Sequence, residues 1–113
     1  MPDMGAPEVA EMTDNVHMFT YSADDGSRFE FHVKNMELGD IMFTLDFAGS
    51  CNVAVEDTGG LVMNCRCPSK CTTLIGVLKP DNPTLPYSFS YNCSWAGIEH
   101  DHETVQGTQY RPL

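Results

Sequence analysis

Between Tyr87 and Trp95 the chain alternates without a break. Tyr87, Phe89, Tyr91, Cys93 and Trp95 are aromatic or cysteine, while Ser88, Ser90, Asn92 and Ser94 are small and polar. Side chains on a strand point to opposite faces with a period of two, so this run predicts a strand with one face in a core and one in water. The same period recurs upstream. Phe29, Phe31 and Val33 oppose Glu30, His32 and Lys34, and Ile41, Phe43, Leu45 and Phe47 oppose Met42, Thr44 and Asp46. Leu61, Met63, Cys65 and Cys67 share a face against Asn64 and Arg66, with Val62 out of phase. Shorter strands are expected over 16–21, 52–55 and 72–78, the last with a mid-strand Gly76 that suggests a bulge.

The breaks between these runs are turn formers: Asp24-Asp25-Gly26, Asn35 to Asp40, Glu56 to Gly60, Pro68-Ser69-Lys70, and a loop from Lys79 to Pro86 with three prolines. Seven to eight strands with turns at this spacing, and no helical period, predict an all-β fold. The expected architecture is a single antiparallel β-sandwich, immunoglobulin-like or C2-like. Residues 1–14 read as a flexible leader, 15–97 as the sandwich and 98–113 as a polar C-terminal tail.

Composition narrows function more than it defines it. The chain has 113 residues, 42% of them hydrophobic, which suits one domain. No apolar run nears the roughly 20 residues of a membrane span, and the first residues lack a secretory signal, so the expected compartment is the cytoplasm. Sixteen acidic against six basic residues give a formal charge of −10. Such a surface repels phosphate backbones and anionic lipid, which argues against nucleic acid and membrane insertion and favours basic partners or cations.

The chemistry-bearing residues form three groups. Cys65, Cys67 and Cys71, with Cys93 later, resemble a metal-ligand series. One intervening residue on a strand, however, sets Cys65 and Cys67 about 7 Å apart on one face, wide for two ligands of one zinc ion. Core packing is the better reading, with Cys71 the thiol expected at the surface; the odd count of five cysteines is no disulfide framework. The acidic turns offer Asp24, Asp25, Glu56 and Asp57 as calcium ligands, since calcium gathers oxygens from loops. His100 and His102, among Glu99, Asp101 and Glu103, could hold a transition metal weakly; a solvated tail is the alternative.

Phe43-Thr44-Leu45-Asp46-Phe47, then Gly49-Ser50-x-Asn52 and Pro68-Ser69-Lys70-Cys71-Thr72-Thr73-Leu74-Ile75-Gly76, resemble the β-sandwich accessory domain of calpain-related proteins. The resemblance covers residues 16 to 95. It implies an accessory, scaffold or Ca²⁺-responsive domain and assigns no site residue, because the calpain catalytic residues belong to another domain.

Three functions stay open. The favoured one is a non-catalytic protein-interaction or scaffold module without a cofactor. Its partner would be basic, or an extended peptide added to an edge strand, and its contact surface an edge, a loop end or the Ser/Asn face of the last strand. The others are a calcium- or zinc-dependent binding domain and a small enzyme with an unrecognised site. Oligomeric state is not legible in the sequence.

Overall fold

The computed structural model describes residues 7–23, 27–98 and 106–111. Among them are nine strands and no helix: β1 (Glu8–Thr13), β2 (Val16–Ser22), β3 (Phe29–Asn35), β4 (Ile41–Asp46), β5 (Val53–Val55), β6 (Val62–Cys67), β7 (Cys71–Pro80), β8 (Tyr91–Gly97) and β9 (Gln106–Arg111). They form two antiparallel sheets, one of five strands in the order β1-β2-β3-β7-β5 and one of four in the order β6-β4-β8-β9. The expected all-β sandwich is the fold. No helix of the described residues is long and apolar enough to cross a membrane.

The alternating runs become the inner faces. Phe29, Phe31 and Val33 of β3 are buried, as are Ile41, Phe43 and Leu45 of β4, and Met63 and Cys67 of β6. Aromatic rings join the two layers. Phe31 of the five-stranded sheet lies 5.4 Å from Phe47, and 6.3 Å from both Phe89 and Tyr91, between ring centroids. Phe47 in turn meets Phe89 and Tyr91 edge-on at 6.0 Å. Within the four-stranded sheet Trp95 stacks on its cross-strand neighbour Phe43. Edge-to-face and offset contacts of this kind add about 0.5–1.5 kcal/mol each to the burial of the rings.

Several boundaries differ from the sequence reading. β1 occupies residues assigned to a flexible leader, because Ala10 and Met12 alternate with Val9 and Glu11 and pack against the core. That pattern is too short and too weakly apolar to stand out before its partner is known. β9 occupies residues assigned to the tail, pairing with β8 from Tyr91↔Arg111 to Ala96↔Gln106. Its sequence carries no apolar period, so only backbone pairing to a neighbouring strand marks it. The aromatic run, finally, is a paired strand only from Tyr91. Ser88 makes a single bridge to Cys51, yet Phe89 is buried in phase with Tyr91, Cys93 and Trp95.

Asn52, expected to open a strand, takes a left-handed conformation (φ 58°), and β5 begins one residue later. Asn tolerates this region. Its side chain fastens the proline-rich loop, donating to the Asn82 carbonyl at 2.9 Å and the Leu85 carbonyl at 3.1 Å and accepting from the Asn82 N–H at 2.8 Å.

The bulge suggested by Gly76 is present. Phe31 pairs with Gly76 but His32 pairs with Leu74, so Ile75 is the extra residue. Gly76 faces the opposite layer, where an added Cβ would lie 2.6 Å from Met63 Sδ and 2.9 Å from its Cγ. Gly76→Ala is therefore expected to cost about 1–3 kcal/mol through overpacking. In denaturant titration its effect should combine with that of Met63→Ala to less than the sum of the two, because truncating Met63 makes room for the new methyl group.

Candidate functional site

The sequence candidates scatter. Asp24, Asp25, His100 and His102 lie outside the described residues. Glu56 and Asp57 sit exposed on the turn after β5, where Glu56 faces Lys79 across the neighbouring strand at 3.6 Å. Among the described residues no three His, Cys, Asp or Glu side chains gather to hold a metal. The sulfurs follow the strand alternation instead. Cys67 and Cys93 are buried, Cys65 half-buried, and Cys51 and Cys71 exposed. Cys93 Sγ lies 3.8 Å from Met12 Sδ of the opposite sheet, a packing contact between layers. Burial, and then the neighbouring Cys65, push the Cys67 thiol up to about 12. The Ser/Asn face of β8 continues across β4 and β6, where Ser94 stands beside Thr44 and Asn64 donates to the Thr44 hydroxyl at 3.0 Å.

A different surface emerges on the outer face of the five-stranded sheet. Because Met18, Phe31 and Val33 point inward, Phe19, Tyr21, Glu30 and His32 point out. The strand registers then place Val9, Phe19, His32 and Leu74 side by side across β1, β2, β3 and β7. Val9 and Leu74 are each 49% exposed, while Phe19 and His32 are half-buried between them. Tyr21 meets the His32 ring edge-on at 5.0 Å. Glu30 ties the face together, accepting from His32 Nε2 at 3.2 Å and pairing with Arg28 Nη2 at 3.1 Å. Arg28 Nε is buried and has no hydrogen-bond partner among the described residues. The next row, Glu11, His17, Lys34 and Thr72, is polar.

This face ends at an incomplete edge. β5 pairs with β7 from Leu78 to Pro80, and the Glu56 N–H adds one further backbone bond to the Val77 carbonyl at 2.8 Å. Among the described residues, no strand pairs with the side of Cys71–Gly76 that faces away from β3. Cys71, Thr72 and Leu74 are exposed, and even the inward-pointing Thr73 is only half-buried. Lys70, in a left-handed conformation (φ 61°), turns the chain into this stretch and donates to the Met36 carbonyl at 2.9 Å.

Sequence reasoning missed this surface because its members belong to four separate strands. Val9 stood in the supposed leader, and His32 and Leu74 come into register only through the bulge at Ile75. Phe19, an aromatic out of phase with Val16 and Met18, was the one signal available.

No family model matches the chain, and no curated protein does. Among solved structures the chain is similar to the crystal structure of the yeast GGA1 GAE domain, at 12% identity and a TM-score of 0.47, over 93% of this chain and 98% of that one. That domain is not a calpain-related protein, so the calpain-type resemblance stands on its own residues alone.

Two measurements test these local environments. In the folded protein, maleimide labelling followed by mass spectrometry should modify Cys51 and Cys71 first and spare Cys67 until the chain unfolds. The second concerns Asp40. The Ser69 N–H, at 2.9 Å, and then Arg66, at 2.8 and 3.0 Å, hold its carboxyl below the ordinary carboxylate value. A depressed value stabilises the fold only while the group is ionised. The difference in melting temperature between the native chain and Asp40→Asn should hold at neutral pH and shrink as the pH falls below 3.8.

Proposed function

We propose that this chain is a non-catalytic protein-interaction module and that the outer face of its five-stranded sheet is the contact surface. The observation that carries this reading is the row Val9, Phe19, His32 and Leu74, which sets apolar and aromatic side chains side by side where solvent reaches them. Protein interfaces combine such an apolar centre, rich in aromatic residues and Arg, with a polar rim. Tyr21 and the Arg28–Glu30–His32 group supply that rim within the same face.

The half-buried members need little rearrangement to bind. The His32 ring is held between Glu30 and Tyr21, so its rotamer freedom is already spent before a partner arrives. An intracellular setting belongs to this reading, since the exposed thiols of Cys51 and Cys71 suit a reducing compartment.

The test is comparative affinity capture with the native chain and with Phe19→Ser/Leu74→Ser. Both positions lie on the outer face, so the double variant should stay folded by circular dichroism and retain a cooperative melt. A partner held by the native chain and lost by the variant supports the reading. The same set of partners on both chains would remove the face from consideration.

A further inference from the structure

We infer that the contact face binds a second copy of this chain, in a weak dimer whose two-fold axis lies along the row Val9, Phe19, His32 and Leu74. The inference rests on the interaction-module reading and names its partner. It starts from the charges on the face. Three acids, Glu11, Glu30 and Glu56, stand there with three bases, Arg28, Lys34 and Lys79. Lys70, at the margin, lies beside Asp40, which accepts from the neighbouring Ser69 N–H at 2.9 Å. Among the described residues the face is therefore close to neutral, in a chain that carries −10. Two such chains repel each other as wholes. Through this face they meet without the local part of that repulsion.

The order of residues along β3 makes the face self-complementary. His32 stands in the row, with Glu30 two residues before it and Lys34 two residues after it, all on the outward side. A two-fold interface brings the same patch of both copies together. An axis along the row lays each strand over its own copy, running in the opposite direction. Phe19 and His32 then meet their counterparts, Glu30 faces Lys34 of the second copy, and Lys34 faces its Glu30. On β2, Tyr21 faces His17 of the second copy in the same way. An axis parallel to the strands would instead set Lys34 against His17 and leave Glu30 opposite Tyr21, so neither charge would find its opposite. Lys34 makes no ion pair among the described residues. Glu11, in the same row, is two strands away, about 10 Å by the strand spacing, with His17 between them. Glu30 already accepts from Arg28 and His32, but a carboxylate offers about four acceptor sites, so a third donor is accommodated.

Packing sets the strength of the contact. Sheets laid face to face cross at about 30°, so the correspondence is closest on the central strands β2 and β3. Towards the margin Lys79 keeps its own carboxylate, Glu56, at 3.6 Å. The half-exposed Val9 and Leu74 close the ends of the apolar row around Phe19 and His32. Four strands at about 4.8 Å and three rows at about 6.8 Å cover on the order of 400 Å² per copy. The total of about 800 Å² falls below the roughly 1,200 Å² of a stable complex. The dimer is therefore reversible, with half association at a chain concentration of about 0.1 mM. It is held by side chains on the face and leaves the backbone groups of the sheet edges unused.

The experiment is sedimentation velocity on the full chain from about 10 μM to 1 mM, in about 0.15 M salt, where a Debye length of about 8 Å screens the net charge. A reversible monomer–dimer equilibrium is expected, and Phe19→Ser/Leu74→Ser should remain monomeric throughout. Lys34→Glu should weaken association about tenfold, because the symmetry places two altered pairs in every dimer, and Glu30→Lys should do the same. An equimolar mixture of these two variants should return association to near the native level, since each introduced charge then meets its opposite. Amide spectra check that every variant is folded. A second measurement needs no variant: on dilution of the ¹⁵N-labelled native chain, amide shifts should centre on β2 and β3. A native chain that is monomeric at 1 mM overturns the inference, as does a dimer that Phe19→Ser/Leu74→Ser leaves intact. A mixture that associates no better than its components overturns it too, as do dilution shifts confined to β6, β8 or Cys71–Ile75. The interaction-module reading fails separately: with no dimer it still stands on a captured partner that Phe19→Ser/Leu74→Ser loses.

Discussion

Everything on the surface of this molecule takes its position from the contact of Phe31 with Phe47, Phe89 and Tyr91 between the two sheets. These rings fill the centre of the sandwich and decide which side of each strand is inside. A strand has only two faces, so burying Phe31 forces Glu30 and His32 outward, and a slip of one residue would exchange the two sets. The cross-strand registers carry that parity to β2 and β1 on one side and to β7 on the other. The exposed row is thus the outer image of the aromatic core.

The bulge in β7 is where this parity is adjusted. Without the extra residue at Ile75, the strand could not bring both Gly76 opposite Phe31 and Leu74 opposite His32. Gly76 is small because Met63 of the other sheet occupies the space a side chain would need. One local irregularity therefore serves both surfaces of the sheet: it closes the packing against β6 and keeps an apolar side chain on the solvent side.

How much of this was legible in the sequence depends on whether the signal was local. Alternation within a strand is local, and the inward positions of Phe89, Tyr91, Cys93 and Trp95, or of Met63, Cys65 and Cys67, could be read directly. The same alternation predicted that the cysteines would serve as packing residues. Strands β1 and β9 were missed because their identity lies in pairing: a short Ala10/Met12 period, and a polar segment beside β8, have meaning only next to their neighbours. The contact surface was missed for the same reason, since no window of sequence contains Val9, Phe19, His32 and Leu74 together. Net charge was legible but silent on placement, because an excess of acid over the whole chain coexists with a run, Cys71 to Leu78, that has no charged side chain.

That coexistence bears on how the chain behaves in concentrated solution. An uncharged, β-branched stretch with one side unpaired among the described residues is the kind of edge through which identical molecules assemble into continuous sheets. Nothing within Cys71–Ile75 itself prevents this. The restraint is colloidal and acts at a distance, through mutual repulsion between molecules that each carry a large negative charge. Salt shortens the reach of that repulsion, and acid removes its source. The acidic residues distributed over the rest of the surface thereby act as a guard for an edge they do not touch, and the solubility of this protein is tied to ionic strength and pH through a stretch of strand with no ionised side chain of its own.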